Sequence, residues 1–404
     1  MLTFDYTARD PSSNKHIKST VQADSERAAA KLIMAQGLAP LKISMQEDDG
    51  DIFSKFTNRI GAKDKVVFSR QLATLINAGL PLAQSLRTVI DQTANKKLKA
   101  VVQTVLSDIE SGKTLADSFA RYPDVFSNVF VALIAAGEAS GTLDQSLERI
   151  SSQQEKDAEI ASKVRGAMVY PAIVFVVIIG VVIFMMVTVV PQIEQLYRDL
   201  KQTLPFVTQS LVAIASFMRN FWWLIVILLG VGIYFAKRYV ETDGGRALYD
   251  SMKLHVPLFG RMFQKLYMAR FMRTGQTLMV SGVPMLETLA ICARAVNNVQ
   301  VAQSIRKAAD KVKGGKALSI ALKDSDNILP LVPQMIGIGE QSGSIDAMMD
   351  KAATFYENEL DNEIRAISTA IEPVMMVVLA AVAGLMVVAI LLPVYGLIGS
   401  GAIR

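Results

Sequence analysis

The chain has 404 residues, of which 51% are hydrophobic and 20% charged, with a mean hydropathy of +0.33. That length holds two or more domains, and so apolar a composition, unevenly spread, excludes both a disordered segment and an ordinary soluble enzyme. The net charge of +5 is too mild to argue for nucleic acid, and the single Cys292 excludes a disulfide scaffold or a Cys-based metal site.

The N-terminal part alternates apolar and polar residues over Thr3–Ala8, turns at Pro11–Lys15, and allows further strands at His16–Ala23 and Leu41–Met45. Asp24–Gln36 reads as a helix closed by Gly37. These segments make a small α+β domain over residues 1–45, followed by a linker over 46–62 that begins with acidic Gln46–Asp51. The start MLTFDYTARD has no basic stretch leading into an apolar one, so this part is expected to stay in the cytoplasm.

From Val66 the spacing turns helical. Gly79 can close the first helix, and Pro81 can open the next in its first turn. Ser111-Gly112 stops another helix, Thr114 with Asp117 forms an N-cap pair, and Asp124–Ala136 is a further apolar helix. Thr142-x-x-Gln145 is a capping box for a last, long helix. About six helices make one bundle over residues 63–168.

Three stretches are long enough to cross a bilayer, which takes about 20 apolar residues. Arg165 and Glu194 bracket 28 uncharged residues, Arg219 and Lys237 bracket 17, and Glu372 and Arg404 bracket 31. Transmembrane helices are expected at 169–190, 220–236 and 371–396. The second could begin earlier, with Arg219 snorkelling beside Trp222 and Trp223. Lys156, Lys163 and Arg165 precede the first span, and six Lys or Arg fall within 237–265. The positive-inside rule then puts the N-terminus and 237–370 in the cytoplasm, and 191–219 and the tail 397–404 outside.

The bundle is duplicated. Phe68–Leu86 aligns with Phe271–Leu289 at an offset of 203, with seven identities in 19 positions, among them Arg70/Arg273, Gly79/Gly282 and Pro81/Pro284. At an offset of 202, Gly137-Glu-Ala-Ser-Gly141 meets Gly339-Glu-Gln-Ser-Gly343, followed by Asp144/Asp346, Glu155/Glu357 and Pro171/Pro373. The expected fold is mainly α: a polytopic membrane protein with two repeated cytoplasmic helical bundles, three transmembrane helices and the small N-terminal domain.

Chemistry-bearing constellations are sparse, and no catalytic residue or cofactor is expected. Gly112-Lys113-Thr114 lacks the first glycine of a phosphate-binding loop, Ser107 standing in its place, and its counterpart Gly315-Lys316-Ala317 loses the hydroxyl. An inter-helix turn is the better reading. Cys292 reads as a small core residue, and His16 and His255 are too far apart in sequence to form a local ligand pair. Lys311–Lys316 reads as a solvated face or a contact for acidic partners or lipid. The acidic residues Glu155, Asp157, Glu357 and Glu359 read most simply as a solvated helix face, with a divalent cation as the sharper alternative. In the doubled GExSG motif, Gly137 and Gly339 allow a close backbone approach, and Gly141 and Gly343 end a helix. Glu138, with its counterpart Glu340, could pair with a basic group. Turn chemistry and partner contact both remain open for these six positions. Pro171 and Pro373, at the entries to two spans, either kink those helices as paired joints or mark a mere irregularity.

The doubled GExSG, the two Gly-x-Pro turns, Tyr170-Pro171 and Glu372-Pro373 together resemble the inner-membrane platform family of type IV pilus and type II secretion machines, the type II secretion F family. Pro191–Tyr197 with Leu204-Pro205 is similar to that family's outside loop, and Phe4-x-Tyr6-x-Ala8-x-Asp10 with Ala35–Pro40 to its leading domain. Ser12-Ser13-Asn14 departs from it where glycine is usual. The resemblance implies a non-enzymatic inner-membrane scaffold that oligomerises with itself. Its partners would be a cytoplasmic assembly or retraction ATPase, pilin or pseudopilin subunits and other inner-membrane pilus components. It favours the pilus machine, with the secretion machine as the alternative.

Overall fold

The computed structural model describes residues 2–9, 16–23, 30, 32–34, 39–45, 59–199, 206–257 and 259–399. Contacts divide the chain into two units, residues 1–60 with 95–97, and the remainder.

In the first unit β1 (Leu2–Arg9) lies between β2 (His16–Ala23) and β3 (Ala39–Met45), antiparallel to both. The β1–β2 register runs from Leu2 opposite Ala23 to Arg9 opposite His16, and the β1–β3 ladder shifts between Thr7 and Ala8. The strands cover the alternating segment Thr3–Ala8 and the two further strand segments expected at His16–Ala23 and Leu41–Met45. Of the expected helix Asp24–Gln36, Ala30 and Leu32–Met34 are helical, with Ile33 buried. The rest of that helix, Ser12–Asn14 and the linker Gln46–Asp51 lie outside the described residues.

The second unit opens with α1 (Ala62–Asn77), α2 (Leu82–Gln92), α3 (Lys96–Glu110), α4 (Leu115–Ala120), α5 (Asn128–Ser140) and α6 (Leu143–Phe184). Phe68, Leu72 and Ala73 recur on one face of α1 and are buried. Phe68, Phe119, Phe126 and Phe130 form an aromatic centre with ring centroids 4.4–6.3 Å apart. Gly79 closes the α1 turn at φ 82°, a conformation that costs residues with a Cβ. Three details differ from the sequence expectation. Pro81 is the N-cap of α2 rather than its first helical residue. α5 begins at Asn128 instead of Asp124, because the Ser127 hydroxyl accepts from the Phe130 N–H and starts it there. No capping box forms at Thr142, whose hydroxyl instead pairs with that of Ser140 at 2.7 Å.

The α6 helix passes into a π-helical turn, Met185–Val189, and on into α7 (Val190–Asp199). α8 (Phe206–Val240) follows, with a non-helical Phe221 (φ −119°, ψ 21°) marking a kink, then α9 (Asp243–His255). The second copy repeats the first: α10 (Gly260–Val280), α11 (Met285–Ala295), α12 (Val299–Lys313), α13 (Leu318–Lys323), α14 (Leu331–Ser342) and α15 (Ile345–Gly399). Cys292 is fully buried in this core, as its reading predicts.

Among the described residues three helical stretches are long and apolar enough to cross a membrane: Leu143–Asp199, Val212–Val240 and Ile345–Val388. Val176, Leu228 and Val377 on them are 67%, 64% and 69% exposed, a surface suited to lipid and not to water.

Candidate functional site

The duplicated motif is built the same way twice. In copy one the Glu138 carboxylate accepts from the Leu115 N–H at 2.8 Å and the Ala116 N–H at 3.1 Å. In copy two Glu340 accepts from the Leu318 N–H at 2.6 Å, the Ser319 N–H and the Ser319 hydroxyl. Each glutamate therefore caps the free N–H groups at the start of a six-residue helix, α4 or α13, where a carboxylate also suits the helix dipole. The expected basic partner is replaced by backbone amides. Gly141 and Gly343 end α5 and α14 in the left-handed conformation, at φ 73° and 68°. A methyl on Gly137 would stand 2.4 Å from Ser146 Oγ, and one on Gly339 2.7 Å from Ile345 Cα, so the next helix folds back at contact distance.

Each copy also holds an arginine that ties its first helix to its last. Arg70 grips Glu155 through two bonds of 2.6 and 2.5 Å and reaches Glu148 at 2.6 Å. Arg273 grips Glu357 at 2.8 and 2.9 Å and also bonds Asp350 and Thr354. The two forks differ in setting, since the Arg70 side chain is 36% exposed and that of Arg273 only 11%. Hydrogen bonds from Arg70 hold the Glu155 carboxyl below the usual range, outweighing its desolvation. The repeat marked Arg70/Arg273 and Glu155/Glu357, but helical periodicity does not say which residues meet across a bundle, so the forks were missed.

The acidic residues read as a solvated face are partnered by cations. Asp157 faces Arg270 at 3.9 Å, Glu357 faces Lys156 at 3.6 Å, and Glu359 holds Lys265 at 2.8 Å. Lys265 also reaches Glu363 at 2.7 Å, and Lys163 reaches Asp361 at 2.7 Å. Three of these pairs, through Lys156, Asp157 and Lys163, join the two copies. Burial raises the Asp157 carboxyl, against the pull of Arg270, while hydrogen bonds from Lys265 lower that of Glu359. No three His, Cys, Asp or Glu side chains come together as a metal cluster among the described residues.

α5 packs on α10 and α11, and Arg149 donates to the Ser281 hydroxyl at 2.8 Å. A cleft of about 330 Å3 between the copies is lined by Asn128, Gln153, Asp157, Arg270, Thr274 and Arg294. Nearer the spans, Ile160 and Val164 of α6 pack against Met262, Leu360, Ile364 and Ile367.

α6 continues through Pro171 and α15 through Pro373, so neither proline ends its helix. The irregularities fall elsewhere, at Met185–Val189 and Phe221. Lys113 of the rejected phosphate loop pairs with Asp108 at 2.7 Å, and Thr114 caps α4 by accepting from the Asp117 N–H. His255 is exposed, its ring nitrogen 2.8 Å from the Ser251 carbonyl oxygen.

The family model for type II secretion system protein F matches residues 68–191 and again 271–393, and the model of that protein's N-terminal domain matches 1–44. The chain is 36% identical, over 100% of both sequences, to a Thermus thermophilus protein named type IV pilus assembly protein PilC. A Myxococcus xanthus protein of the same name is 35% identical over 95% of this chain and 92% of its own. A Pseudomonas aeruginosa protein named type II secretion system protein F is 32% identical over 98% of this chain and 99% of its own.

Proposed function

Because the chain belongs to the type II secretion system protein F family, we propose that it is the inner-membrane platform protein of a type IV pilus assembly machine. It couples a cytoplasmic ATPase to the insertion of pilin into the filament or its removal. The end-to-end similarity to proteins named for pilus assembly carries this reading. The second reading, the equivalent platform of a type II secretion system, is favoured by the similarity to a protein F over almost all of both chains.

The role is that of a scaffold and not of an enzyme. Both copies lie in the cytoplasm, with spans at 169–190, 220–236 and 371–396 and the C-terminus outside. Continuous helices suit such a coupling: at 1.5 Å per residue α6 extends about 63 Å and α15 about 82 Å, from the bundles into the apolar stretches. A displacement of the ion-paired bundle faces is thus transmitted along a stiff rod. ATPase contact falls on the bundles and pilin contact on the spans, and the platform works as a homo-oligomer beside other inner-membrane components.

Deleting the gene and scoring surface pili, twitching and protein secretion side by side tests the reading. Loss of pili with secretion intact is expected, and the reverse would move the protein to the secretion machine. Periplasm-only reporters should be active when fused at Lys201 and Gly399 and silent at Gly314. Activity at Gly314 would overturn the orientation.

A further inference from the structure

The α9 helix follows the α8 span after only Glu241 and Thr242, and its position there is fixed. The Thr242 hydroxyl accepts from the Gly245 N–H at 3.2 Å, and a methyl on Gly245 would stand 1.9 Å from the Tyr239 carbonyl oxygen. One face of α9 is anchored inward. Leu254 and Asp250 are 6% and 3% exposed, and Asp250 accepts from the Val299 N–H at 3.0 Å and, through its carbonyl, from Asn298 at 3.1 Å.

The opposite face is apolar and uncovered. Leu248, Tyr249, Met252 and Val256 are 54%, 47%, 57% and 40% exposed. At 100° per residue they share an arc of about 100° lying opposite Asp250 and Leu254. Basic groups flank the stripe: Lys253 lies over the Tyr249 ring at 4.1 Å, and Arg246, His255 and Arg261 are exposed around it. Exposed Lys237 and Arg238 mark the end of the span itself.

We propose that α9 is an interfacial helix whose outward stripe beds into the boundary between acyl chains and headgroups, while the surrounding basic groups bind anionic phospholipid. Reach favours lipid over a protein partner. Lys237 and Arg238 end the apolar stretch, and Gly245 packs on the carbonyl of Tyr239 only one or two residues, about 3 Å of helix, beyond them, so α9 begins within the headgroup layer of roughly 5–8 Å on each side of the hydrocarbon. A stripe of this width with a basic border is the composition that lies in an anionic membrane surface. A second feature points the same way. A groove of about 640 Å3, lined by Leu254, His255, Val256, Arg261, Ala366 and Ala370, separates the end of α9 from α15 just before that helix turns apolar at Pro373. The groove also meets Glu363, whose carboxylate is held by Lys265. Val256 belongs to both the stripe and the groove, and Ala366 and Ala370 put the groove's other wall within seven residues of Pro373, with room for a headgroup beside Arg261.

The test uses the full chain with Cys292→Ala and a nitroxide label on Leu248→Cys, Met252→Cys or the control Ile320→Cys, an exposed apolar site on α13. The protein is reconstituted in phosphatidylcholine vesicles with and without phosphatidylglycerol. Labels at 248 and 252 should collide with oxygen, relative to a water-soluble nickel complex, several-fold more often than the label at 320. Removing phosphatidylglycerol should lower that ratio. Nickel accessibility equal to that at 320 would overturn the proposal, and shielding from both reagents would do so by showing a protein partner. An unchanged ratio without phosphatidylglycerol would overturn the anionic-lipid assignment.

Discussion

The two arginine forks offer a controlled comparison, because duplication placed the same residue at the same position in two degrees of burial. Arg273→Met keeps the aliphatic stem and removes the charge from a side chain that is 11% exposed. It leaves Glu357, 21% exposed, with only Lys156 at 3.6 Å, while Asp350 is half in solvent and can hydrate. Breaking a fully buried pair costs roughly 3–5 kcal/mol, so this partly screened one should cost about 2–3 kcal/mol. Arg70→Met acts on carboxylates that are 46% and 41% exposed, where surface pairs contribute about 0.5–1 kcal/mol. In thermal melts of the full chain in detergent, the losses should be roughly 4–12 °C for Arg273→Met and about 1–4 °C for Arg70→Met. A double-mutant cycle with Glu357→Gln and with Glu155→Gln separates the pair energies from general damage. Equal coupling in the two copies, or a larger one at Arg70, would refute the argument that burial sets the difference.

Gly339→Ala should destabilise by about 1–3 kcal/mol, because its methyl meets the Ile345 backbone. The matching loss in Gly137→Ala should be partly rescued by Ser146→Gly, which removes the nearest atoms; a lack of rescue in melts would place the strain elsewhere. Asp157→Asn should raise the melting temperature at pH 7. Its acid is raised in the folded state, so the stability it contributes is present below the unfolded value near pH 4 and lost as pH rises through the folded one. With 43% of that side chain exposed the gain should be small, and it should vanish in melts below about pH 4; a loss at pH 7 would contradict it. Replacing both Pro171 and Pro373 by Ala restores two helical N–H groups in helices that are already continuous, so pilus counts should stay near wild type. Normal insertion with few pili would show that the prolines act as joints.

The repeat, the three apolar stretches and the left-handed glycines were legible in the sequence because each depends on local spacing or on one residue type. Glu138 and Glu340 were read with the wrong partner for a physical reason. Their donors are backbone N–H groups 21–23 residues earlier, and an amide leaves no mark on residue identity. The acidic run was read as solvated because its cations, Lys265 and Arg270 among them, come from helices distant in sequence. The π-helical turn at Met185–Val189 has no compositional signal, whereas the prolines have a strong one and leave their helices whole.

Beside the packing of the two equivalent long helices α6 and α15, the contact between the copies joins unlike helices: α5 of the first meets α10 and α11 of the second. Duplicated units that met about a twofold axis would present the same patch to each other, and any change in it would be felt twice. At α5 it is felt once. Gln153 lines the cleft between the copies, while its counterpart Phe355 is outside that cleft and 48% exposed. Arg149 donates to Ser281, while their counterparts Lys351 and Ala78 are exposed. Two halves with a common ancestor in sequence thus answer to different surroundings, and each is free to acquire a surface the other lacks.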